Sequence, residues 1–247
     1  MIPSLLTHTP SQETLAQQRK IVIIIPAYNE EACIGNVIAQ IRELIPFADI
    51  VVVNDGSTDE TSRIANEMGV ELLSLPYNSG IGVAMQTGYM FAHERGYDAA
   101  IQIDGDGQHN PRDIINLLIP LWENKADVVI GSRFIEQKGD QSSLPRRLGG
   151  KLLSLFIYTI TGESMTDPTS GFRSANRKAI EFYARHYPSD YPEPEAIVLL
   201  SRHQFRMIEV KTTMNSRQGG KSSITFLRAW YYMIKVSLAI LLDALRR

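Results

Sequence analysis

The chain has one cysteine, Cys33, among 247 residues, so an intramolecular disulfide framework is excluded and a reducing compartment is expected. It also lacks an apolar run of the ~20 residues that a membrane-spanning helix needs. The longest candidate, Ala229 to Leu242, is 14 residues long and is interrupted by Lys235. The first twenty residues are polar, with two prolines and no apolar centre, which excludes a signal peptide; residues 1–19 read as a flexible tail. There is no internal repeat and no low-complexity block. A formal charge of −2 offers no footing for a nucleic-acid partner. What is present is a chain 44% hydrophobic and 21% charged, enough to bury a substantial core in one large domain.

The most informative stretch is Ile101-Gln-Ile-Asp-Gly-Asp-Gly-Gln-His-Asn-Pro111. An apolar run from Ala99 predicts a strand that ends in two carboxylates one residue apart, Asp104 and Asp106. Alternate residues of an extended segment share a face, so both acids can converge on one cation. Hard cations such as Mg²⁺ or Mn²⁺ prefer oxygen ligands, and substrate phosphates and water complete their shells. Gly105 and Gly107 let a ligand approach the backbone. Asn110 and Pro111 suit a helix cap and first turn. An ordinary polar turn is the alternative reading of this stretch alone.

The rest of the chain repeats the pattern. Apolar strands are expected at 20–25, 50–53, 71–75, 99–103 and 127–130, each followed by a polar turn and then, for the first four, by apolar residues at helical spacing, as in Ile34, Val37, Ile38, Ile41 and Ile45. Acids are expected in the first turn of that helix, and Ser57 or Thr58 as the cap of the next. Strand and helix in alternation predict a mostly parallel α/β sheet, whose ligands bind beyond the carboxyl ends of the strands. That rule aligns Tyr28, Glu30, Asp55, Gly80, Asp104, Asp106 and Arg133 on one edge. Beyond Arg133 the reading is a polar loop over 135–147, a helix to about Thr161, a turn at 167–173, a helix from Asn176, an apolar helix after Tyr191 and a strand at 205–212. Arg217-Gln-Gly-Gly-Lys-Ser222 reads as a basic loop that grips phosphate or as a basic surface loop.

Taken in order, these segments resemble the family 2 glycosyltransferases of the GT-A fold, most of all the polyprenyl-phosphate sugar transferases such as dolichol-phosphate mannose synthase and its bacterial undecaprenyl-phosphate counterparts. The matching pieces are Ile25-Pro-Ala-Tyr-Asn-Glu30, Val53-Asn-Asp-Gly-Ser-Thr-Asp59, Asn78-Ser-Gly-Ile-Gly82, Asp104-Gly-Asp-Gly-Gln108, Gly131-Ser-Arg133, Asp167-Pro-Thr-Ser-Gly-Phe-Arg173 and Arg217-Gln-Gly-Gly-Lys-Ser222. The resemblance implies a GT-A domain over 20–222, a Rossmann-like, mostly parallel sheet flanked by helices. It also implies inverting, metal-dependent transfer from a UDP- or GDP-sugar to a polyprenyl phosphate, in cell-envelope biogenesis. Pro26, Tyr28, Glu30, Asp55 and Gly80 would line the nucleotide, with Asp104 between nucleotide and metal. Asp106 and Gln108 would hold Mg²⁺ or Mn²⁺ on the diphosphate. Arg133, one of Arg146 and Arg147, Arg217 and Lys221 would meet the acceptor phosphate. Asp167 would stand near the sugar, and Glu195 is a second acid without an assigned role. The alternative within the family is a soluble transferase acting on a glycan hydroxyl for cell-surface polysaccharide.

Two departures from the family stand out. Ile81 occupies a position where many relatives carry a basic residue, and relatives often continue into transmembrane helices where this chain stops at Arg247. The segment 223–247 reads as an amphipathic helix. It lies on a membrane, docks onto a small membrane protein, or packs on its own subunit or a second copy in a homo-oligomer. The expected location is cytoplasmic, peripheral on the inner face of the cell membrane.

Overall fold

The computed structural model describes residues 19–135, 144–215 and Lys235, with the backbone alone for 144–148. Among the described residues seven strands, β1 (Ile21–Ala27), β2 (Asp49–Asn54), β3 (Glu71–Ser74), β4 (Ala99–Gln102), β5 (Val128–Ser132), β6 (Arg173–Asn176) and β7 (Met207–Lys211), form one sheet in the order β3-β2-β1-β4-β6-β5-β7. β1 lies inside the sheet, buried at every position because helices cover both faces. β2 (Asp49–Asn54) pairs with it in parallel, Ile24 opposite Val51, and β3 (Glu71–Ser74) continues outward in parallel. The chain then returns to the other side of β1 with β4 (Ala99–Gln102), also parallel. Strand order reverses between β1 and β4, and in open α/β sheets this switch point opens a crevice for ligands.

The alternation of side chains divides the core in two. On one face Val22, Ile24, Val51 and Val53 pack against α3 (Ile81–Glu94), α5 (Leu144–Thr161), α6 (Arg177–His186) and α7 (Pro192–Arg202). On the other, Ile21, Ile23, Ile25 and Val52 meet α1 (Ile34–Leu44), α2 (Thr61–Glu67) and α4 (Ile114–Trp122). The periodic Ile34, Val37, Ile38 and Ile41 form the buried stripe of α1. Gly88 in α3 is a packing requirement, since a Cβ there would lie 2.4 Å from Ile24 Cγ2.

β5 (Val128–Ser132) and β7 (Met207–Lys211) are parallel neighbours, but β6 (Arg173–Asn176) runs antiparallel between β4 and β5. The sequence reading has no strand there. β6 carries little apolar signal because Arg173 and Ser174 are buried through specific bonds: Arg173 Nε and Nη2 donate to the Ser170 and Pro168 carbonyls, and Ser174 Oγ donates to the Leu117 carbonyl.

Local details differ as well. Glu30 and Glu31 precede α1 rather than sitting in its first turn, and the Glu30 carbonyl accepts from the Cys33 and Ile34 amides. Ser57 and Thr58 do not cap α2; Asp59 accepts from the Thr61 amide instead, at 3.0 Å. Asn110 caps as expected, accepting from the Arg112 amide, but a 3-10 turn over Pro111–Asp113 leads into α4. The segments 1–18, 136–143 and 223–247, apart from Lys235, lie outside the described residues.

Candidate active site

Three turns at the carboxyl ends of β1, β2 and β3 are tied into one ledge. The Asn29 amide donates to Ser57 Oγ at 3.0 Å, and Asn29 Oδ1 accepts from the Thr58 amide at 2.9 Å. The Glu30 amide donates to Thr61 Oγ1. Asp55 is buried, and its carboxylate holds the next loop by accepting from the amides of Ser79 at 2.7 Å and Gly80 at 2.9 Å. Gly80 has a φ of +93°, a conformation that favours glycine. The sequence-expected Glu30, Asp55 and Gly80 thus share one hydrogen-bonded frame, and Pro26 and Tyr28 lie on the stretch of chain that leads into it.

The acidic turn stands beside that frame. β4 ends at Gln102, and Gly105 and Asp106 form a turn, so alternation along an extended strand is not what relates Asp104 to Asp106. A Cβ at Gly105 would lie at ordinary contact distance from Pro26 O and Glu30 Cγ, while Gly107 needs its glycine for a φ of +74°. Asp106 Oδ1 accepts from the Gln108 amide at 2.9 Å. The Asp104 side chain is 40% exposed. Among the described residues no group of three or more His, Cys, Asp or Glu side chains could hold a metal. The protein offers two carboxylates and the Gln108 amide, and this oxygen-rich, incomplete set fits a hard divalent ion that takes its remaining ligands from a diphosphate and water.

His109, which the sequence reading left without a role, braces the turn. It is buried, stacks on Phe172 with ring centroids 4.9 Å apart, and its Nδ1 accepts from the Asp104 amide at 3.1 Å. Burial pushes its pKa down to about 4, with Asp106 pulling it up and Arg133 pushing it further down, so the ring is neutral at physiological pH. The chain beyond β7 closes over the same turn: the Asn215 amide donates to the Gln108 carbonyl at 2.8 Å, and the Thr213 amide to Asp113 Oδ2 at 2.7 Å. Arg217 follows two residues later, but it and Lys221 lie outside the described residues, as do the side chains of Arg146 and Arg147 at the start of α5.

The third component is an ion pair. Arg133, just after β5, places Nε 2.6 Å from Asp167 Oδ2 and Nη2 2.6 Å from Oδ1. Asp167 is fully buried, Arg133 about 30% exposed. The Asp167 and Thr166 amides donate to the Glu209 carboxylate on β7, a contact the sequence reading did not anticipate. Behind these groups lie two further unassigned residues. Arg173 closes the 167–171 loop from beneath. Glu193, at the start of α7, has a raised pKa, chiefly from burial, with the Asp104 charge adding to the rise. Glu195, the acid noted in the sequence, is buried two residues on.

Residues 22–184 match the family model described as glycosyl transferase family 2. The chain belongs to that family. Among the transferase's relatives is an undecaprenyl-phosphate mannosyltransferase of Micrococcus luteus, 30% identical over 83% of this chain and 88% of the relative. Another is a UDP-N-acetylglucosamine–dolichyl-phosphate N-acetylglucosaminyltransferase of Methanococcus voltae, 29% identical over 90% and 98%. Among solved structures, glucosyl-3-phosphoglycerate synthase from Mycobacterium tuberculosis, in complex with Mn²⁺, UDP and glucosyl-3-phosphoglycerate, superimposes with a TM-score of 0.72 at 23% identity, covering 96% of this chain and 85% of that one. At that identity the likeness concerns the fold, which is the GT-A architecture.

Proposed function

We propose that this transferase moves a sugar, with inversion, from a UDP- or GDP-sugar to a polyprenyl phosphate. The observation that carries the reading is the Arg133–Asp167 clamp. A hydroxyl acceptor must lose a proton as it attacks, which calls for a positioned base. Asp167 has both oxygens engaged by a guanidinium, so it serves to aim Arg133 rather than to accept a proton. A phosphate monoester has its second pKa near ~6 and arrives as an anion. It needs cations to hold it against the donor's own charge, and arginine's planar fork suits phosphate oxygens. Arg133, Arg146, Arg147, Arg217 and Lys221 supply that charge in this reading. The polyprenyl and dolichyl phosphates named for two relatives point the same way.

In the donor half, Pro26, Tyr28, Glu30, Asp55 and Gly80 line the base and ribose, and Asp104 sits between ribose and metal. Asp104, Asp106 and Gln108 would hold Mg²⁺ or Mn²⁺, and the ion would supply Lewis-acid stabilisation of the leaving diphosphate. His109 keeps the turn in shape from below. Among the described residues no helix is long and apolar enough to cross a membrane. We place the enzyme on the inner face of the cell membrane, with 223–247 against lipid or a small membrane protein.

One observation favours a second reading. Glu193 is an acid with a raised pKa within electrostatic reach of Asp104, a suitable base for a glycan hydroxyl. A product assay separates the two: purified enzyme, a panel of UDP- and GDP-sugars, and either undecaprenyl phosphate or a soluble oligosaccharide. A lipid-linked sugar supports the first reading. Transfer to the oligosaccharide alone overturns it.

A further inference from the structure

Tyr77 is 70% exposed, the most of any large hydrophobic side chain described, and its backbone lies against the turn after β2. Gly56 has a φ of +68° and packs so closely on the next loop that a Cβ would lie 2.5 Å from the Tyr77 carbonyl carbon and 2.7 Å from the Asn78 nitrogen. Two residues on, Asp55 holds the Ser79 and Gly80 amides. An aromatic ring held in water on a fixed backbone gains nothing in burial, so stability does not account for it.

Across the β2 turn stands Tyr28, 45% exposed, on the loop after β1. β1 and β3 flank β2 directly. Neighbouring strands lie ~4.8 Å apart, so the two loops leave the sheet about 10 Å apart. A planar ring between two others needs about 7 Å, twice the carbon–carbon contact distance. The turn between the tyrosines brings the Gly56 backbone toward the edge of a base whose faces the two rings would meet, while Asp55 and Ser57 hold the neighbouring loops.

We propose that Tyr77 stacks on the donor's nucleobase, opposite Tyr28. The inference rests on the nucleotide-sugar reading above and adds to the donor site a residue on the loop after β3. Every base has a π face, so the contact sets affinity and leaves the choice between uracil and guanine to the turn. The hydroxyl of Tyr77 is not needed for this; the ring is.

The test titrates the full chain with UDP, GDP and inorganic pyrophosphate, each with Mg²⁺. Tyr77→Ala is expected to weaken the nucleoside diphosphate that the wild type binds by about tenfold, with pyrophosphate changed by less than about twofold and the melting temperature unchanged. Tyr77→Phe should bind as the wild type does. The proposal is overturned if Tyr77→Ala binds the nucleotide normally, or if pyrophosphate weakens by the same factor. A wild type that binds neither nucleotide overturns the donor reading itself, and this proposal with it.

Discussion

Arg133 and Asp167, 34 residues apart in sequence, meet as a two-point fork, with Nε–Oδ2 and Nη2–Oδ1 both at 2.6 Å and the carboxylate wholly buried. Removing one charge of a buried pair costs about 3–5 kcal/mol, and the partial exposure of Arg133 places the expected cost at the lower end. Asp167→Asn should therefore lower the unfolding midpoint and cut turnover about tenfold or more, since Arg133 loses its aim. Donor affinity should change less. Wild-type turnover in this variant would remove the positioning role.

Asp106, proposed above as a ligand of the ion, lies in a turn whose shape its own Oδ1 supports through the Gln108 amide. Asp106→Asn keeps an oxygen in place and should spare the fold while weakening nucleotide binding in the presence of Mg²⁺ or Mn²⁺. Turnover that persists in excess EDTA would defeat the metal assignment.

Two glycines of the site should respond differently to an added methyl. Gly56→Ala meets immovable backbone at 2.5 Å and an unfavourable φ, so a loss of about 1–3 kcal/mol is expected, together with weaker nucleotide binding. At Gly105 the nearest atoms are 3.4 and 3.6 Å from the Cβ position, and Gly105→Ala should unfold at the wild-type midpoint. Denaturant titration of both variants makes the comparison, and equal stability would contradict it.

At the opposite end of the sheet, burial alone would raise the Asp127 pKa, but bonds from Arg206 and Asn176 bring it down to about 2 from 3.8. A depressed carboxylate contributes its stability above the unfolded pKa and loses it as pH falls through the folded one. About 2 kcal/mol should thus disappear between roughly pH 4 and pH 2. Asp127→Asn should flatten that part of the stability curve; an unchanged slope would show that other groups carry it.

The acceptor reading makes a prediction about the cations it assigns to the acceptor phosphate rather than to the donor. Arg217→Ala, and Arg146→Ala combined with Arg147→Ala, should cut transfer to polyprenyl phosphate about tenfold or more while nucleotide affinity stays within about twofold. Normal lipid transfer by these variants would count against the lipid phosphate.

Much of this was legible in the chain because its signals are local. Buried strands such as 21–25, the helical stripe of Ile34 to Ile41 and the cap at Asn110 each depend on neighbours within a few residues. So do the polar turns that close each strand, and seven short motifs in order sufficed for the family. Residues whose meaning depends on distant partners were not legible. Asp167 looks like a free acid until β5 brings Arg133 against it, and Glu209 has no visible task until β7 lies beside β5. β6 is hidden because its burial depends on hydrogen bonds of Arg173 and Ser174 rather than on apolar alternation. His109 is a polar turn residue in the sequence; only Phe172, 63 positions away, makes it a buried, neutral brace. Local pattern determined the elements and the family, while long-range packing decided which charges are engaged and which remain exposed at the site.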